Sequence, residues 1–208
     1  MRNKKTYEMV LTALFTAIII IMAFVPYLGY INLIVIKATL IHVPVIIGSV
    51  MLGPKKGGFL GFVFGCTSLI NNTFNPSLLS FAFSPFYSVG EVGGNFFSLV
   101  ICFVPRILVG IGPYFVYQGI RRLCKEKKGS DWLALPLAGI VGAFTNTLLV
   151  MNLIYFCFSE EFAAAKQIAL DAVYGGILAI IAANGIPEAI VAAVLVTAVC
   201  KALKRYLR

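Results

Sequence analysis

A chain of 208 residues that is 60% hydrophobic and only 12% charged has more apolar surface than a soluble core of that size can hide, since soluble domains run near ~25% charged. It reads as an integral membrane protein made of one domain, residues 1–208. Its net charge of +9 does not argue for a nucleic-acid partner, because fourteen of the seventeen basic residues fall in four clusters at every second gap between apolar runs.

Those clusters are Arg2, Lys4 and Lys5 before the first run, Lys55 and Lys56 after the second, Arg121, Arg122, Lys125, Lys127 and Lys128 in one polar gap, and Lys201, Lys204, Arg205 and Arg208 at the end. Basic loops that recur on one side are the mark of the positive-inside rule, and they place both termini in the cytoplasm. The basic start followed by the apolar run from Met9 to Val25 resembles a secretory signal. It lacks a small-x-small cleavage site and is long enough to span, so it is expected to be retained as helix 1, at about 6–25.

The next stretch, Pro26 to Lys37, is too apolar for a solvated loop and is expected to pack into the mouth of the bundle. Helix 2 is expected at about 38–52 and helix 3 at about 57–70, with Gly53-Pro54-Lys55-Lys56 as the turn between them. At about 14 residues each they fall short of the roughly 20 that cross a bilayer, which marks them as cavity-lining segments. The stretch from Asn71 to Gly94 interleaves Asn, Ser and Pro with phenylalanines. By topology it lies outside the cell, and a loop of that length and aromatic content calls for a function. Helices 4, 5 and 6 follow at about 95–118, 132–158 and 172–203. The expected fold is an all-α, six-transmembrane-helix bundle. No internal repeat supports an inverted-repeat plan. The five cysteines are scattered without a CxxC pair, so they read as small hydrophobes rather than as a disulfide or metal framework.

Several features carry chemistry. Ala13 and Ala17 in helix 1 share a face and let another helix come close, either within the chain or from a partner. Gly57, Gly61 and Gly65 repeat that spacing in helix 3. Arg106 and Glu188 are charges deep in apolar helices, roughly 17 and 24 Å from the outer ends. Such groups pair with each other or face a cavity, and Arg106 has the fork that holds a carboxylate. Asn95 lies on the Arg106 face of helix 4, Asn184 one turn from Glu188, and Asn146 midway along helix 5. Together they outline a pocket open to the outside. His42, the only histidine, is a helix-end group or a ligand contact, and no second His or acidic cluster offers metal-ligand spacing. No cofactor or metal is expected. The glycine turn at Gly53–Gly58 lacks the Ser/Thr of a P-loop. No HExxH, nucleophile elbow or close carboxylate pair appears, so the chain is not read as an enzyme.

The AxxxA of helix 1, Ile41-His42-Val43-Pro44-Val45-Ile46-Ile47-Gly48, Leu52-Gly53-Pro54-Lys55, Pro105-Arg106-Ile107-Leu108-Val109-Gly110 and Asn184-Gly185-Ile186-Pro187-Glu188 together resemble the substrate-binding S component of energy-coupling factor (ECF) vitamin transporters over nearly the whole chain. The resemblance implies a vitamin-binding membrane subunit of an ATP-driven uptake system in a bacterial plasma membrane. In that family a transmembrane T subunit docks on the two helix-1 alanines, two cytoplasmic ATPases supply the energy, and the solute sits under the first and third loops among helices 4 to 6. Ile70-Asn71-Asn72-Thr73-Phe74-Asn75-Pro76 followed by Phe83-Ser84-Pro85-Phe86 is most similar to the pantothenate type, although folate-type relatives share the Arg and NG-x-P-E features. Arg106 or Lys37 would then meet a carboxylate, and Asn71, Asn72, Asn95, Asn146, Asn184, Tyr87, His42 and Glu188 the rest. The remaining alternatives are an S component for folate or another vitamin, and a facilitator that works alone.

Overall fold

In the computed structural model, residues 4–25, 28–33, 36–89, 92–125 and 129–206 are described. Six helical rods dominate them: α1 (Lys4–Phe24), α2 (His42–Leu52), α3 (Pro54–Phe74), α4 (Phe96–Leu123), α5 (Asp131–Lys166), and a sixth made of α6 (Val173–Ile180), a π-helical turn (Ile181–Gly185) and α7 (Ile186–Tyr206). Four of these rods are long and apolar enough to cross a membrane. Two short antiparallel hairpins accompany them, β1 (Tyr30–Leu33) with β2 (Ile36–Thr39), and β3 (Ser88–Val89) with β4 (Val92–Gly93).

The expected bounds change most at helices 2 and 3, while α4 and α5 run past their expected ends at 118 and 158 to Leu123 and Lys166, α5 with a kink at Phe158. Helix 2 begins at His42 rather than near Ala38, because residues 36–39 pair in register with 30–33, Tyr30 opposite Thr39. The eleven residues left span only about 16 Å, and nine of them are buried because α1, α3, α4, α5 and α7 all pack on α2. A helix apolar on every side belongs inside a bundle. Helix 3, by contrast, is 21 residues long and not short. Pro54 starts it at a position whose N–H has no helical partner in any case. At its far end the polar residues Asn72 and Thr73 stay helical by bonding back one turn, Asn72 Nδ2 to the Ser68 carbonyl at 2.8 Å and Thr73 Oγ1 to that of Leu69 at 2.8 Å.

α3 and α4 touch backbone to backbone. A Cβ on Gly57 would lie 2.0 Å from the Gly110 carbonyl oxygen, and one on Gly61 would lie 2.2 Å from that of Arg106. Only hydrogen fits at these positions, so the small-residue spacing seen in the sequence fixes the height of α4 against α3.

Two apolar cores fill the bundle. One, toward the basic end, gathers Phe15, Ile19, Ile46, Leu60, Phe64, Val109, Tyr117, Leu135, Ala143, Ala189 and Val196. The other, toward the end that carries the hairpins, gathers Phe81, Ile101, Val150, Ile154, Phe158, Phe162, Val173 and Ile177. The third loop folds inward to reach the second core. Ser80 Oγ donates to Asn72 Oδ1 at 2.7 Å and Ser98 Oγ to the Phe81 carbonyl at 2.7 Å, while Phe81 meets Phe158 edge-on at 5.7 Å. At the basic end Lys204 and Tyr117 both bond Asp131, at 2.9 and 2.8 Å, and Lys204 also reaches the Tyr117 hydroxyl. That tie joins α4, α5 and α7.

Candidate functional site

Along three rods the polar residues fall where one apolar core ends and the other begins. On α4, Arg106 stands between Ile101 and Val109. On α5, Asn146 and Thr147 stand between Ala143 and Val150. On the last rod, Asn184 and Glu188 stand between Ile177 and Ala189. A polar layer thus crosses the bundle, with His42 at the start of α2 at the edge of the first core.

Arg106 is only 6% exposed. Pro105 has no N–H, so the Ile101 carbonyl four residues earlier loses its helical donor. Arg106 Nη1 supplies that bond at 2.7 Å, which fixes the root of the guanidinium. Its central carbon Cζ lies over the ring of Phe83 in the third loop, 4.9 Å from the centroid, and over that of Phe64 in α3 at 5.5 Å. Two aromatic rings and a backbone carbonyl therefore hold a cation in an apolar surround.

Glu188, 4% exposed, does not ion-pair with Arg106 at contact distance, which corrects the pair entertained from sequence. One carboxylate oxygen accepts the Thr39 backbone N–H at 2.7 Å and the other accepts Thr147 Oγ1 at 3.0 Å. The π turn sets this geometry. Pro187 denies the Ala183 carbonyl its α-helical donor, and the chain answers with the wider i→i+5 turn at Ile181–Gly185.

Buried polar atoms need partners, and those left without one call for an explanation. Among the described residues, both ring nitrogens of His42, Oδ1 of Asn146 and Oδ1 of Asn184 have none. His42 is fully buried and Asn146 is 7% exposed. Asn146 and Asn184, like Arg106, lie along their helices between residues of the two cores, and His42 starts α2 just after the first hairpin.

The other sequence candidates lie elsewhere. Asn72 braces Ser68 and Ser80, and Asn71 accepts a 3.3 Å bond from Asn75. Asn95 is an exposed helix cap that bonds the Phe97 N–H at 2.8 Å within a capping box. The Tyr87 carbonyl accepts the Gly94 N–H at 3.1 Å, and its ring packs on the second core. The Lys37 side chain lies outside the described residues. Ala13 and Ala17 are exposed on α1, in one stripe with Met9 and Ile21. Sequence reasoning missed Thr147, Thr39, Phe64 and Phe83. Thr147, directly after Asn146 in an apolar helix, was the one with a readable signal.

This arrangement is that of a solute-binding membrane bundle, and the chain belongs to the family of ECF transporter substrate-specific components, whose family model matches residues 7–200. It is accordingly a membrane transport component, not a member of an enzyme family. It is similar to the pantothenic acid transporter PanT of Lactococcus lactis subsp. cremoris, 37% identical over 207 residues that cover 99% of this chain and 97% of that protein. It is also similar to the pantothenate transporter PanT of Leuconostoc mesenteroides subsp. mesenteroides, 29% identical over 96% of this chain and 93% of that one. Among solved structures it resembles an S component for biotin from an ECF-type ABC transporter, at 20% identity and a TM-score of 0.47, covering 97% of this chain and 94% of that chain.

Proposed function

We propose that the chain is the pantothenate-binding subunit of an ECF-type, ATP-driven uptake transporter. The observation that carries this is the buried Arg106 guanidinium, held by Phe64, Phe83 and the Ile101 carbonyl, in a bundle whose other helices also bury unpartnered polar atoms of His42, Asn146 and Asn184. Pantothenate offers a carboxylate for the cation and hydroxyls and an amide for the rest. The two pantothenate transporters that resemble the chain along nearly its full length support the same solute. Lys37 on the hairpin is a second candidate cation. Asn71, Asn72, Tyr87 and Asn95 belong to the rim, where they shape the third loop and the start of α4.

The test is saturable binding of radiolabelled pantothenate to the purified chain in detergent, with folate and riboflavin as competitors. Tight binding displaced by neither supports the reading. Displacement by folate with no pantothenate retained keeps the S-component role and replaces the solute.

Both termini face the cytoplasm in this reading, since Lys55, Arg121, Lys201 and Lys204 gather at one end of the bundle. The partners are a transmembrane T subunit and two cytoplasmic ATPase subunits, with the T subunit seated on the Ala13/Ala17 stripe. Ala13→Trp with Ala17→Trp should therefore abolish uptake in cells that contain the partners, while binding by the isolated chain stays within about twofold, because both positions already face outward. Undiminished uptake by the double variant would favour a facilitator that needs no partner.

A further inference from the structure

The reading above leaves one buried charge without a ligand to hold. Glu188 spends both carboxylate oxygens on the protein itself: on the Thr39 N–H, at the end of the strand that leads into α2, and on the Thr147 hydroxyl of α5. These bonds join three separate elements, the first hairpin, α5 and the last rod, and the partners lie 149 and 41 residues from Glu188 along the chain. Thr39 stands opposite Tyr30 at a non-hydrogen-bonded position of the ladder, so its N–H points away from β1 and is available for this bond. The neighbouring N–H of Leu40 closes the base of the hairpin on the Gly29 carbonyl at 2.9 Å. Gly29 is itself pressed against α1, where a Cβ would sit 2.2 Å from the Met22 carbonyl oxygen. The hairpin base is thus held on two sides, by main-chain packing on α1 and by a charge-assisted bond to Glu188. Only the second of these depends on a side chain, and bonds to a carboxylate are about twice as strong as neutral ones.

We propose that Glu188 is a positioning residue that anchors the base of the first hairpin to α5 and the last rod, and so sets how long a solute stays beneath it rather than which solute is recognised. This rests on the solute-binding reading, and it assigns Glu188 a role in the dwell time of the ligand instead of contact with it. The two roles make opposite predictions for the isosteric amide. The carbonyl oxygen of Glu188→Gln still accepts the Thr39 N–H, and its amide can donate to Thr147 Oγ1, so an anchor survives the exchange. A ligand-binding carboxylate does not.

The experiment pairs hydrogen exchange on the apo protein in detergent with the dissociation rate of radiolabelled pantothenate. Glu188→Ala should speed exchange across residues 36–40 at least tenfold and raise the dissociation rate about tenfold, with exchange in α3 and α4 unchanged. Glu188→Gln should stay within about threefold of wild type in both. Thr147→Val, which removes one hydroxyl and keeps the shape, should give a smaller change of the same kind, with Thr147→Ser restoring it. This pair carries the test where Glu188→Ala fails to fold. Unchanged exchange at 36–40 in Glu188→Ala, or in Thr147→Val where that carries the test, overturns the anchor. A Glu188→Gln variant as impaired as Glu188→Ala overturns it too, and returns Glu188 to the ligand. Should wild type bind no pantothenate, the solute assignment falls, and the exchange arm alone decides the anchor.

Discussion

Replacing Arg106 with alanine is expected to weaken pantothenate binding by about thirtyfold to a few thousandfold, the largest functional effect of any single substitution in the chain. Removing one partner of a buried, hydrogen-bonded charge pair costs about 2–5 kcal/mol, and each 1.4 kcal/mol is tenfold in affinity. Arg106→Lys keeps the charge but loses the fork and the guanidinium contact with Phe83 and Phe64, so its affinity should fall between the two. The alanine variant should also lose about 1 kcal/mol of stability, because the Ile101 carbonyl that Pro105 leaves without a helical donor then has no partner. Equilibrium binding, with a melting curve as the folding control, reads both effects. A well-folded Arg106→Ala protein that holds pantothenate as tightly as wild type would remove Arg106 from the site.

The largest effect on stability is expected at the α3–α4 seam. Gly57→Ala and Gly61→Ala each place a methyl group about 2 Å from a main-chain oxygen, of Gly110 and Arg106 respectively. A backbone atom cannot swing aside as a side chain can, so the helices must part, at a cost of about 2–4 kcal/mol. Gly112→Ala supplies the contrast on α4. Nothing lies within 4 Å of its Cβ, and alanine there should be neutral or slightly stabilising. Melting temperatures of the three variants in one detergent would rank them. Gly61→Ala should in addition weaken solute binding more than Gly57→Ala does, because the displaced oxygen belongs to Arg106 itself. If all three melted together, the backbone contact would not be what holds the seam.

Much of the architecture was legible in the sequence because the bilayer imposes it. Apolar runs divided by polar gaps, with basic clusters at every second one, give the helix count, although only four of the described runs are long and apolar enough to span. A charge such as Arg106 or Glu188 stands out against an apolar run, and the glycine spacing of helix 3 announced close packing. The first hairpin was hidden because Tyr30–Thr39 is apolar on both faces, and an apolar run reads equally as helix, strand or buried loop. The extent of helix 3 was misjudged because Asn72 and Thr73 look like loop residues until their side chains are seen to bond back to their own helix. One of the two partners of Glu188 could not be read at all. It is a main-chain N–H 149 residues away, and every residue but proline has one. In Asn146, Asn184 and His42 the sequence showed polar residues in apolar helices. That their atoms lack partners is a property of three-dimensional arrangement alone.

The π turn of the last rod holds one residue more than an α-helical path would need. Past it, the chain presents Ala189, Ala192, Val196 and Cys200 inward and Ile190 and Val194 outward. Deleting a single residue between 181 and 185 would rotate everything beyond it by about 100° around the rod. Glu188 would turn away from Thr147, and branched side chains that now face outward would turn toward the core. The composition of the polar layer is therefore governed by an insertion as much as by substitutions. A one-residue deletion at this turn would change the lining of the polar layer even with every neighbouring residue kept.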